Sequence, residues 1–197
     1  MLIWVWIGVI AIAVIGGYLL IHQNRSALRA APNTPELVPL ERTVFSLQLG
    51  DIVQYLDTDW FVEGKLTYNS NGYTWLEYLL QDQDRIRWLS VEEDDQVEVS
   101  FLEPAQGLDI PGTPPNSLPY NGITYRLDES GTAQMTREGS TLNRQGEFCH
   151  YFDYQGPSGE RLSIEDWGDE REVTQGKRIR PSSLTLLPGD GRRVYGT

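Results

Sequence analysis

Four consecutive acids, Glu92, Glu93, Asp94 and Asp95, close a short apolar run, and 73 residues further on "RLSIEDWG" sets Glu165 and Asp166 at the end of a similar one. Carboxylates at this density can ligate a hard cation, since calcium takes about 6 to 8 oxygens. The spaced acids and glycine of a calcium loop are missing, however, and neighbours on a strand point to opposite faces, so at most alternate acids converge. The run therefore reads as a solvated acidic turn. Glu92 and Glu165 are the sharper candidates, because a 73-residue shift superposes them. Two carboxylates brought together can raise a pKa, share a metal ion, or act as acid and base in a hydrolytic reaction.

Cys149 and His150 are neighbours, superficially a nucleophile and its base. On a strand they face opposite ways and cannot form a dyad, so Cys149 reads as a small apolar core residue. No pair of histidines or cysteines has zinc-site spacing, and no phosphate-binding loop, dinucleotide fingerprint, nucleophile elbow or kinase signature is present. The expectation is a non-enzyme without a cofactor. Among recognition residues, Trp88 and Trp167 are expected as exposed anchors. "GKRIRP", with Lys177, Arg178 and Arg180, is the dense basic cluster, facing either an acidic partner or the chain's own acids.

The elements that must position these residues are strands. In "YTWLEYLL" and "IRWLSVEE" the apolar period is two, and Trp, Tyr, Val and Ile are frequent, as pleated strands prefer. "NSNG" at 69–72, "QDQD" at 81–84 and "GPSG" at 156–159 fall between such runs as hairpin turns. Trp75, Tyr78, Leu89, Ser90, Val91, Glu92 and Glu93 match Phe148, Tyr151, Leu162, Ser163, Ile164, Glu165 and Asp166 without a gap. This predicts two similar β halves, residues 47–102 and 123–188, joined by a Pro-rich connector at 103–122 and followed by a tail at 189–197.

Residues 2–21 carry no charge over 20 positions, enough for a helix of about 1.5 Å rise per residue to cross a hydrocarbon core of roughly 30 Å. No basic residue precedes the run and no small-x-small cleavage site follows it, so an anchor is expected rather than a signal peptide. Arg25 and Arg29 follow the segment, which places the N-terminus outside and the rest in the cytoplasm. Ala13 and Gly17 form a small-xxx-small pair suited to homodimerisation. Residues 22–46, with prolines at 32, 35 and 39, form an extended linker. All 28 acids and 14 of the 16 basic residues lie beyond residue 32, a charge of −14 that repels nucleic acid.

"LGDIVQY", "GYTWLEYLL", "RWLSVEEDD", "FCHYFDY", "RLSIEDWGD" and "GKRIRPSSLTLLP" together resemble a bacterial family known as domain of unknown function four-one-seven-eight, over residues 47–188. The resemblance implies a β-rich module without established enzymology, associated in some members with membrane-stress or envelope proteins. It transfers no catalytic residue. The expected protein is mainly β, a single-pass anchored domain of sandwich or barrel type. Its expected role is that of an accessory factor that binds a membrane-associated protein through a sheet face or edge. The competing expectation is a metal-binding or hydrolytic enzyme using Glu92 and Glu165.

Overall fold

The computed structural model describes residues 41–195 apart from 143, 145 and 169. The expected anchor at 2–21 and most of the linker lie outside the described residues. Among those described, no helix is long and apolar enough to cross a membrane.

Eleven strands follow in chain order: β1 (Ile52–Tyr55), β2 (Thr58–Ser70), β3 (Tyr73–Asp82), β4 (Arg85–Glu93), β5 (Val97–Pro104), β6 (Ser117–Tyr120), β7 (Ile123–Gly139), β8 (Phe148–Gln155), β9 (Glu160–Asp166), β10 (Arg171–Ile179) and β11 (Thr185–Leu187). Eight of them, in the order β2-β3-β4-β5-β10-β9-β8-β7, close on themselves through a β2–β7 ladder, and every pairing is antiparallel. The architecture is a closed barrel; β1 and β11 extend from β2, and β6 extends from β7.

Closure depends on β2 changing partner. Thr58–Phe61 pair with β1, whereas Gly64–Asn69 pair with β7, and a bulge at Glu63 turns the strand between them. Gly64 is required there, because a Cβ would lie 1.7 Å from the Ser140 carbonyl oxygen. The hairpins follow local chemistry. Asn71-Gly72 and Asn121-Gly122 hold the positive φ values of a two-residue turn, 52° and 93° in one and 47° and 77° in the other. The second of these turns lies at the end of the expected loop 103–122, within which Ser117–Tyr120 forms a strand.

Each half supplies four consecutive barrel strands, but the halves do not correspond at one constant shift. Tyr78 pairs with Leu89 in the first half, while Tyr154, not Tyr151, pairs with Leu162 in the second. Asp82 pairs with Arg85 but Gln155 with Arg161, so the second turn is three residues longer. Holding β4 on β9, the counterparts of Trp75, Glu77 and Tyr78 are Tyr151, Asp153 and Tyr154. This corrects the ungapped matches of Trp75 with Phe148 and Tyr78 with Tyr151. Phe148 is 58% exposed, whereas Trp75 packs in the lumen.

The apolar residues form three bodies. Val53, Tyr55, Trp60, Val62, Tyr78, Leu80, Leu89 and Val91 pack outside the barrel wall beneath the 41–47 segment and β11. Tyr125, Tyr154, Leu162 and Ile164 do the same for the second half beneath Ile110 and Leu118. The third body, with Leu66, Tyr68, Leu79, Trp88, Leu102, Met135 and Cys149, fills one end of the lumen. Strands of this barrel are therefore buried on both faces over much of their length.

Candidate functional site

The filled end of the lumen is a floor built around one cation. The loop between β7 and β8 carries Arg144 inside, where it is 1% exposed. Its guanidinium carbon lies 3.9 Å from the centre of the Trp88 ring. Nη1 is 2.5 Å from Glu77 Oε2 and 3.1 Å from Glu165 Oε2, and it donates to the Tyr68 hydroxyl at 2.9 Å. Nε donates to Glu172 at 2.6 Å, and Tyr68 in turn donates to Glu165 at 3.1 Å.

Three carboxylates around one guanidinium leave an excess of negative charge. Burial opposes the Arg144 charge, but Glu165, Tyr68, Glu77 and Glu172 outweigh it and hold its pKa above the usual value. Burial pushes the Glu165 carboxyl up, with Arg144 working against it and Glu77 and Glu172 adding to it. The Tyr68 hydroxyl is also held protonated, chiefly by burial.

Above the floor the lumen is a cavity of about 470 Å³. Glu77, Glu92, Asp94, Glu98, Asp128, Glu129, Asp153 and Glu165 bring carboxylates to it, against the cations Arg161 and Arg178. Those two arginines are engaged: Arg161 is 3.3 Å from both Glu98 and Asp128, and Arg178 pairs with Glu98. Aromatic side chains form one wall. Trp75 stacks on Tyr68 with 4.9 Å between ring centres and meets Tyr151 edge-on at 5.1 Å, and Tyr73 lies beside it at 6.2 Å. Tyr151 donates to Glu129 at 2.8 Å. Burial pushes the Glu92 carboxyl up against the pull of Arg161 and Arg178. Asp153 is pushed up to about 7, by burial first, with the Ser163 hydroxyl opposing and Glu77, Glu92 and Glu129 adding.

Glu92 and Glu165 do line one cavity, Glu92 towards its mouth and Glu165 in its floor. Of the acidic run only Glu92 and Asp94 reach it, as alternation requires. Among the described residues no group of His, Cys, Asp and Glu has the arrangement of a metal site. Trp88 is not an exposed anchor: it is 1% exposed because it sits beneath Arg144. Trp167 is half-buried against the floor, 6.3 Å from Tyr68 between ring centres, with its indole nitrogen buried. Alternation separates Lys177 from Arg178, and Arg180 lies beyond the end of β10. All three are exposed; Arg178 lines the cavity and pairs with Glu98. Cys149 lies in the floor and burial pushes its thiol up, while His150 points outward to the Thr132 hydroxyl at 2.9 Å.

Sequence reasoning missed Arg144, Glu77 and Asp153. Glu77 had a signal, an acid inside the apolar run "YTWLEYLL"; Arg144, in an irregular loop, had none.

Fold and site together define a small antiparallel β-barrel whose lumen is packed at one end and open, acidic and aromatic-walled at the other. The chain belongs to the family described as a domain of unknown function, DUF4178, whose model matches residues 48–181. It is 31% identical over 147 residues to an uncharacterized protein of Mycobacterium tuberculosis, covering 71% of this chain and 70% of the relative. It is 26% identical over 159 residues to an uncharacterized protein of Aquifex aeolicus, covering 76% and 85%. No solved structure matches the chain.

Proposed function

We propose that this chain is a membrane-tethered, non-catalytic binding module, an accessory factor of a membrane complex that receives its ligand through the barrel mouth. The observation that carries this reading is the lumen itself, a cavity of about 470 Å³ with a packed floor. Part of the outer face of each half is covered, and what stays exposed on β7 and β8 is mostly polar, with Thr132, Gln134, Thr136 and His150 beside Phe148. The sheet edges offer little to an added strand, since β11 has three residues and β6 has four, one of them Pro119. Contact through a sheet face or edge therefore gives way to the lumen as the recognition surface. The apolar run 2–21, with Arg25 and Arg29 after it, supports a single-pass anchor and a cytoplasmic barrel.

The test uses tagged full-length protein expressed in its native membrane. Carbonate-washed vesicles should retain it, and mild-detergent extraction should recover a stoichiometric membrane partner. Ser90→Trp, which fills the cavity, should abolish that recovery while leaving the melting temperature within a few degrees. Release by carbonate overturns the tether, and recovery undiminished by the filled lumen overturns the lumen as recognition surface.

A further inference from the structure

The two ends of the lumen carry the same pair of acids. In the floor these are Glu77, opposite Ser90 across its ladder, and Glu165. Their register counterparts are Asp153, opposite Ser163, and Glu92, and both line the open cavity. The floor pair shares the Arg144 guanidinium as its counter-ion, and that guanidinium also lies on an aromatic ring. For the mouth pair, no cation lies within 4.0 Å of either carboxylate among the described residues; Arg161 and Arg178 act on Glu92 only from further away. The asymmetry has a simple origin. Arg144 arrives on the long loop between β7 and β8, whereas the equivalent β2–β3 connection is the two-residue Asn71-Gly72 turn, too short to send a side chain inside.

Resting on the reading of the barrel as a binding module, we propose that the open lumen binds a small organic cation. Its ammonium group would sit between Glu92 and Asp153, and its carbon chain against Trp75 and Tyr151. A cavity of about 470 Å³ is within the range of small-molecule sites. Aromatic faces attract an ammonium group most strongly where water is excluded. Ser100 is independent of the carboxylates. It is 7% exposed, lines the cavity and has no hydrogen-bond partner for its hydroxyl among the described residues, leaving a polar atom aimed at whatever enters. A hard metal ion suits the lumen less well. The acids are spread over several strands rather than converging, and an aromatic wall supplies no oxygen ligands. Anions are repelled by the carboxylate excess.

The experiment is a titration of the full-length protein in mild detergent, read by tryptophan fluorescence and by melting temperature. The probes are a series of α,ω-diaminoalkanes, the matching monoamines and tetramethylammonium. Sodium chloride, magnesium chloride and an α,ω-dicarboxylate at equal ionic strength are the comparisons. A saturable rise in melting temperature is expected with the amines alone. Glu92→Gln and Asp153→Asn should each weaken binding at least tenfold without lowering the melting temperature of the free protein. Saturation by tetramethylammonium alone would overturn the hydrogen-bonded ammonium and, with it, the roles of Glu92 and Asp153. A rise matched by salt, or one that both variants retain, would overturn the inference altogether. If no amine binds while Ser90→Trp still abolishes partner recovery, the binding module stands and the cation falls. If amines bind tightly and no partner depends on the lumen, the cation site stands and the recruitment of a membrane partner through the lumen falls.

Discussion

Replacing Arg144 with Met keeps an unbranched apolar stem and removes the guanidinium and its charge, leaving Glu77, Glu165 and Glu172 facing one another inside the floor. Breaking a buried ion pair from one side costs about 3 to 5 kcal/mol, and a desolvated guanidinium on an indole adds about 2 kcal/mol. The terms overlap, so a loss of about 5 kcal/mol is expected at pH 8. For a domain of this size each kcal/mol lowers the melting temperature by about 2 to 4 °C, which gives roughly 10 to 20 °C. The loss must also depend on pH. Without Arg144 nothing offsets the burial of Glu165 or the mutual repulsion of the three carboxylates, so the folded variant takes up protons that the parent does not as pH falls. Each such proton recovers about 1.4 kcal/mol per pH unit. The difference between variant and parent should therefore be largest at pH 8 and shrink towards pH 5. Arg144→Lys should fall between them, since one ammonium keeps the charge but cannot reach Glu77 and Glu172 from one planar group. Urea denaturation of the full-length chain in mild detergent, followed by tryptophan fluorescence at both pH values, measures these quantities. A loss below about 1 kcal/mol at pH 8, or the same loss at both, would refute the account of the floor as an ion network.

Asp153→Asn tests the mouth. A carboxyl whose folded pKa is raised from 3.8 to about 7 contributes most below pH 4 and loses that contribution as pH rises through 7. The amide should thus converge with the parent near pH 4 and exceed it at pH 8, by at most about 4 kcal/mol, which partial exposure to the cavity reduces. Glu63→Gln tests the C-terminal strap. The buried carboxylate accepts the backbone N–H groups of Val194 and Tyr195 at 2.6 and 2.8 Å and pairs with Arg193 at 3.0 Å. Its loss should cost about 2 to 3 kcal/mol and open Arg192 and Arg193 to trypsin; an unchanged cleavage rate would count against the strap. Gly176→Ala tests the seam between halves, where a Cβ would lie 2.1 Å from the Phe101 carbonyl oxygen. A loss of about 3 kcal/mol is expected by urea denaturation, against about 1 kcal/mol for Gly72→Ala, which meets open space and only the strain of a positive φ.

Period two and turn chemistry are local, and they carried the β reading: the strands flanking Asn71-Gly72, Gln83-Asp84 and Gly156–Gly159 lie where alternation and turn residues placed them. Closure is not local. Nothing in "GKLTYNS" states that it pairs with "TAQMTREG" some 70 residues away, and without closure a strand is expected to have one wet face. That is why Trp88 read as exposed. In the barrel its neighbour Leu89 faces the outer core and Trp88 faces the floor, so both directions are dry. The same blindness affected the repeat. A constant shift matched residue types but placed Cys149 against Leu76, which lie on opposite sides of the wall, because a longer turn is invisible until the ladders are counted.

Closure also explains why the acids survive in a buried lumen. A strand alternating between an outer core and an inner face must put something on the inner face. Apolar residues throughout would have filled the barrel end to end, as Leu79, Leu102 and Met135 do at the floor. At the mouth the inner positions are Glu92, Asp153, Ser100 and Ser163 instead, too small and too polar to interdigitate across the lumen, so a void remains. The carboxylates there are costly: burial pushes Glu92 and Asp153 towards their neutral forms. The floor shows that the same pair is compatible with a packed interior once a guanidinium lies between its members. A fold that spends a loop on giving one pair a counter-ion and leaves the other facing an open cavity is organised for a cation that arrives from outside.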